Sequence, residues 1–169
     1  MRRTLLAGLA LAFLAGGCTV TFVGGEGVGG EGASAGVNGI LAVFEPTRGP
    51  DATYRRGDDV AFSLRSRRDG YVTLSRLNPD GEVAVVARNL RVRAHRTEVL
   101  DGSRDGTRFV VGGPRGWHRV RASFSPEPAS TATARLEGRF GEGDWTAALR
   151  LDLAPFEVTD VAETAFYVR

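Results

Sequence analysis

At 169 residues the chain has room for one domain, and its apolar (42%) and charged (25%) fractions are those of a globular protein. All 22 cations are arginine, which reads first as the coding habit of a GC-rich genome and only then as bidentate chemistry. The net charge of +2 hides a split: residues 54–126 hold 15 Arg and 8 acids, and residues 127–169 hold 4 Arg and 8 acids. Such a split suits a basic binding surface, or two segments that lie side by side and neutralise each other, and we expect the second.

Residues 1–17 have the three parts of a secretory signal. Arg2 and Arg3 give the positive start, Leu5 to Leu14 the short apolar run, and Ala15-Gly16-Gly17 the small residues before a break. Ten apolar residues are about half of what a bilayer-spanning helix needs. Ala15-Gly16-Gly17-Cys18 resembles a bacterial lipobox, with Ala where Leu is commoner, and Cys18 is the only cysteine in the chain. Cys18 is therefore expected to be the lipidated first residue of the mature protein, anchored in the membrane. Thr19, in place of Asp, favours the outer membrane over the inner one. Residues 18–39 follow as a tether, of which Gly24 to Gly39 is too rich in Gly and too poor in apolar residues to fold alone.

From residue 40 to 169 the pattern predicts a single β domain, of about 130 residues, a size at which folding buries roughly two thirds of the unfolded surface without disulfide staples. Ile40 to Glu45 reads as a strand stopped by Pro46. Val60, Phe62 and Leu64 alternate with Ala61, Ser63 and Arg65. The turn Arg68-Asp69-Gly70, the strand Tyr71 to Leu77, the turn Asn78-Pro79-Asp80-Gly81 and the strand Glu82 to Val86 then predict a β-meander with positive φ at Gly70 and Gly81. Further strands are predicted over 88–100 (one or two), 107–111, 117–124, 131–136, 145–153 and 165–169, and no helix. In the 145–153 segment Leu149, Leu151 and Leu153 alternate with Arg150 and Asp152. About nine strands at this spacing predict an all-β fold, an antiparallel immunoglobulin-like β-sandwich, with a small β-barrel as the alternative.

Tyr54-x-x-Gly57-Asp58, Arg68-Asp69-Gly70-Tyr71-Val72 and Asn78-Pro79-Asp80-Gly81-Glu82-Val83 together resemble the bacterial envelope family known as domain of unknown function 4384. Where that family commonly has a hydrophobic residue and then Phe-Pro-Asn, this chain has Val86-Ala87-Arg88-Asn89 and shares the Asn. The resemblance implies a fold and an envelope location. It carries no catalytic residue onto the chain.

No segment forms a catalytic motif. His95 and His118 are too few for a three-histidine zinc site, and neither lies in a nucleophile context. Asp101-Gly102-Ser103-Arg104-Asp105-Gly106 begins like a calcium loop, but Gly112 stands where the bidentate carboxylate belongs, so a plain Asp/Gly turn is expected. No metal or other cofactor is expected. Trp117, Trp145, Tyr71 and Phe124 suit a core better than a glycan platform. The densest basic run, 88–96, would as a strand project Arg91, Arg93 and His95 from one face as a cationic stripe for an anionic envelope polymer; charge guarding an edge strand is the alternative use. The expected function is therefore a non-catalytic binding or structural module at the cell surface or in the periplasm, held by its lipid and meeting an envelope polymer or another envelope protein, with no nucleic acid. The alternative is an envelope hydrolase with its site assembled around His95 or His118.

Overall fold

The computed structural model describes residues 35–103, 106–130, 136 and 138–169. The expected signal peptide, Cys18, most of the tether and the strand expected over 131–136, Leu136 apart, lie outside the described residues. In chain order the elements are β1 (Leu41–Pro46), β2 (Thr53–Tyr54), β3 (Phe62–Ser66), β4 (Gly70–Leu77), β5 (Val83–Val92), β6 (Thr97–Leu100), β7 (Gly116–Ser125), α1 (Gly141–Leu153) and β8 (Asp160–Val168).

Period-two alternation decides the architecture. Phe62 and Leu64 of β3, Val72 and Leu74 of β4, and Val120, Ala122 and Phe124 of β7 are all buried in one cluster, because each strand turns every second side chain inward. Two sheets enclose that cluster, one in the order β1-β3-β6 and the other in the order β2-β8-β7-β4-β5. This is an open sandwich of two sheets, not a closed barrel. Among the described strands every pair is antiparallel except that of the short β2, which runs parallel to β8. Each fully buried Leu or Phe contributes about 1.5–3 kcal/mol, so the sheet-to-sheet layer dominates stability.

The expected meander is half right. β4 and β5 form the second hairpin, with Gly81 at φ 90°. β3, however, pairs with β1 and β6 in the opposite sheet, so Arg67 to Asp69 is a crossover between layers. The crossover is pinned from outside: Ala94 N–H donates to Asp69 Oδ1 (2.7 Å) and His95 N–H to the Ser66 carbonyl (2.7 Å). The two strands expected over 82–86 and from residue 88 onward are one, with a register irregularity and Asn89 at φ 54°. Residues 107–111 make a single bridge, Asp59 with Val110, yet still bury Phe109 and Val111. The final strand starts at Asp160, five residues earlier than expected.

The largest correction is α1. Residues 145–153, expected as a strand, are helical; Trp145, Ala148, Leu149 and Asp152 are the buried residues, at the i, i+3, i+4, i+7 spacing of one helical face. Leu151, central to the apparent strand alternation, is 56% exposed. The helix packs on the outer face of the five-stranded sheet and makes a second small core in which Trp145 and Leu149 meet Val83 and Leu136.

Ion pairs hold the same layer. Arg119 and Arg121 of β7 each bind both Glu142 of α1 and Glu163 of β8, and Arg88 of β5 reaches Asp152 at 3.1 Å. The basic middle of the chain is thus compensated by its acidic end, as the segment charges implied. Its bond to Arg119 holds Glu142 below the ordinary carboxylate range, so its contribution is present above that range and is lost as pH falls through the lowered value. Asp152 behaves oppositely. Burial raises it despite Arg88, so keeping it ionised at neutral pH opposes folding.

At the other end, the buried Asp160 carboxylate accepts hydrogen bonds from the backbone N–H groups of Asn38, Ile40 and Leu41 at 2.7–2.8 Å. Gly36 lies so close to that carboxylate that a Cβ there would overlap it. The ordered body therefore includes residues 36–39, within the segment read as tether.

Candidate functional site

β5 ends the five-strand order and β6 ends the three-strand order. Residues of both strands, with Asp101, Gly102 and residues 107–110, line a row of clefts along one side of the sandwich. Residues 107–109 are tied to the end of β6 and the residues after it: Thr107 N–H donates to the Gly102 carbonyl (3.1 Å) and Phe109 N–H to that of Asp101 (2.9 Å).

Arg91, Arg93, Arg96 and Glu98 line the first cleft, of about 170 Å³. Arg91 and Arg93 are exposed on either side of the buried Val92, as strand alternation requires. His95 leaves the stripe. β5 ends at Val92, and the two hydrogen bonds to Asp69 and Ser66 bend the chain, so that His95 sits at φ 59° in the turn into β6. Arg96 takes the third place instead, and Glu98 points inward, only 8% exposed. Three guanidinium groups around one carboxylate leave a local excess of two positive charges. Sequence reasoning missed Arg96 and Glu98 because both lie beyond a turn whose geometry depends on β3.

The next cleft, of about 250 Å³, lies between Asn89–Arg91 and Val99–Gly102. The third, of about 220 Å³, reaches between the sheets and contains Arg76 among Phe62, Val86, Phe109, Val120 and Phe166. Arg76 was also missed, although its signal was present: Val72, Leu74 and Arg76 share one strand face, and that face is the inner one.

The other candidates disperse. His118 is buried, with Nε2 3.0 Å from the Pro114 carbonyl and its ring stacked on Phe166 at 5.2 Å. Burial lowers its pKa, which keeps the imidazole neutral. It lies near the start of β7, beside the Leu77 end of β4, whereas the His95 backbone is bonded to Ser66 before the Gly70 end, so the two imidazoles enter no common cluster. Trp145 and Phe124 are core residues, while Trp117 meets Tyr167 edge to face (5.4 Å) on the surface. Asp101 accepts from Ser103 N–H (2.9 Å) and Oγ (2.6 Å), an Asx turn rather than a ligand shell. Among the described residues no three His, Cys, Asp or Glu side chains gather as a metal site, and no helix is long and apolar enough to cross a membrane.

Residues 53–128 match the model of a family described as Domain of unknown function (DUF4384). No curated protein and no solved structure matches the chain. The matched segment runs from β2 to just past β7; β1 and β8, outside it, nevertheless pair with β3 and β7 and complete the two sheets.

Proposed function

With residues 53–128 as a DUF4384 domain, we propose that the chain is a lipid-anchored protein of the cell envelope that works by binding rather than catalysis. Its partner in this reading is an anionic envelope polymer, met by Arg91, Arg93 and Arg96. The observation that carries the reading is the convergence of these three arginines, Arg91 from the end of β5 and Arg93 and Arg96 from the segment that leads into β6, on one cleft. Planar guanidinium groups suit phosphate or carboxylate groups, and binding through them weakens as salt rises. The anchor rests on Cys18 and the signal pattern before it, and the outer membrane is favoured by Thr19.

A second use of the same charges has its own support. β5 and β6 are both terminal strands, and exposed Arg with an inward-pointing Glu98 is a known way to keep such edges from pairing with other chains. Charge reversal separates the two. The variant Arg91→Glu/Arg93→Glu, made in the unlipidated Cys18→Ser protein, should lose low-salt adsorption to purified envelope while its melting temperature stays within a few degrees of the parent's. Equal adsorption by both proteins would leave edge protection as the role of these residues.

The anchor has a simpler test. Cys18→Ser should move the protein from the detergent phase to the aqueous phase in a two-phase partition, because two or three acyl chains make release from a bilayer negligible and their absence leaves a polar chain. Unchanged partitioning would disprove lipidation at Cys18.

A further inference from the structure

We propose that the cavity around Arg76 is a separate binding site, for a small monocarboxylate carried on a short apolar body. It lies between the sheets and does not depend on the polymer reading of the Arg91–Arg93–Arg96 cleft.

Four facts lead there. Arg76 stands on the inner face of β4, opposite Ala84 and Val120, where its neighbours in the alternation are Val72 and Leu74. Its Nε is buried and has no hydrogen-bond partner among the described residues. Buried polar atoms are paired in more than about nine cases in ten, so an orphaned guanidinium N–H is unusual. Two further orphans lie at the same end of the sheet, Asn78 Oδ1 and His118 Nδ1, which border Gly113 together. Finally, Arg76 is among the residues that line a cleft of about 220 Å³.

The lining sets the ligand. A guanidinium donates two parallel N–H bonds to a carboxylate, a fit that an ammonium group cannot reproduce. Phe62, Phe109, Val120, Phe166 and their aliphatic neighbours offer a short body apolar contact, and Thr107 and Arg108 add a polar edge. The volume exceeds the roughly 150 Å³ cavity that takes up benzene, leaving space for a carboxylate beside a ring or a short branched chain. Charge argues against a dianion. Glu82 and Asp80 are near enough to act on Arg76 electrostatically, and Arg108 on the rim is already paired with Asp59. With two acids already acting on the one guanidinium, a single negative charge is accommodated better than two.

Benzoate is a suitable probe, with benzyl alcohol as its uncharged counterpart and inorganic phosphate as a bare anion. The full-length protein in detergent is melted against rising concentrations of each. Benzoate should raise Tm with a saturable dependence that neither comparison compound shows. In Arg76→Met the benzoate midpoint should move at least about tenfold higher, while the variant alone melts at or above the parent temperature because an unpaired N–H on a half-buried side chain is gone. The Nε–H NMR resonance assigned to Arg76 by its absence in Arg76→Lys should shift with the same midpoint, which keeps the test open if the Met variant does not fold. Arg91→Glu/Arg93→Glu should respond to benzoate like the parent. No saturable rise in the parent, an unchanged midpoint in Arg76→Met, an unmoved resonance, phosphate matching benzoate, or loss of the response in the stripe variant would each overturn the proposal.

Discussion

Trp145→Ala should destabilise the protein by about 3–5 kcal/mol, a large part of the 5–15 kcal/mol that holds a typical domain together. The indole is fully buried and fills the small core between α1 and the five-stranded sheet. Its Nε1–H donates to Ser75 Oγ at 2.8 Å, and the Arg121 guanidinium lies over the ring at 3.9 Å. Truncation therefore opens a cavity, orphans a buried hydroxyl and strips the cover from a guanidinium that is itself almost wholly buried. The damage should be local. Hydrogen exchange should show α1 losing protection first, with β3, β4 and β7 protected until global unfolding, since their shared core lies on the other side of the sheet. Trp145→Phe, which keeps most of the ring and loses the N–H, should recover more than half of the loss. A melting temperature for Trp145→Ala within about 2 °C of the parent's would mean that the helix is not held by this side chain.

The same residue shows where sequence reasoning stops. Trp145 to Leu153 carries two periods at once. Leu149, Leu151 and Leu153 alternate like a strand, whereas Trp145, Ala148, Leu149 and Asp152 repeat like a helix. Local pattern cannot choose between them over nine residues. The tertiary partners do, because Ser75, Arg121 and Arg88 wait on the sheet for Trp145 and Asp152, and only a helix presents both on one face. The preceding Glu142 and Asp144 in the first turn and Arg150 in the last were the readable hints.

β7 was legible almost residue by residue, because the inner Val120, Ala122 and Phe124 differ so sharply from Arg119, Arg121 and Ser123. The outer face is not simply wet, however; those arginines are where α1 docks. Which sheet a strand joins was not legible. Arg68-Asp69-Gly70 has the composition of a hairpin, but composition does not say whether the next strand pairs with the last one or crosses the core to face it. For the stripe, alternation placed Arg91 and Arg93 correctly. His95 failed because the backbone N–H groups of Ala94 and His95 donate to Asp69 and Ser66, far earlier in the chain, and the strand ends at Val92.

Gly70 and Gly81 now separate into two mechanisms, although their sequence contexts look alike. Gly81 has φ 90°, where a β-branched residue is strained, and a Cβ there would come within 2.8 Å of the Phe140 ring. Phe140 is 65% exposed and can swing away, so Gly81→Val should cost about 1–3 kcal/mol, mainly as backbone strain. Gly70 does not have positive φ. It is a glycine because a Cβ would lie 2.5 Å from the Phe124 ring and 2.6 Å from the Ser125 carbonyl oxygen. Phe124 is fully buried and Ser125 is paired backbone, so neither can yield cheaply. Gly70→Val should therefore cost about 3 kcal/mol or more, the upper end for overpacking, and should disturb the register of β4 on β7. Asparagine distinguishes the causes. It tolerates positive φ, so Gly81→Asn should melt closer to the parent than Gly81→Val does. Gly70→Asn should be no better than Gly70→Val, because the obstruction is space and not torsion. If Gly70→Asn melted like the parent, the close approach of β4 to Phe124 would be wrong, and with it the placement of the crossover from β3.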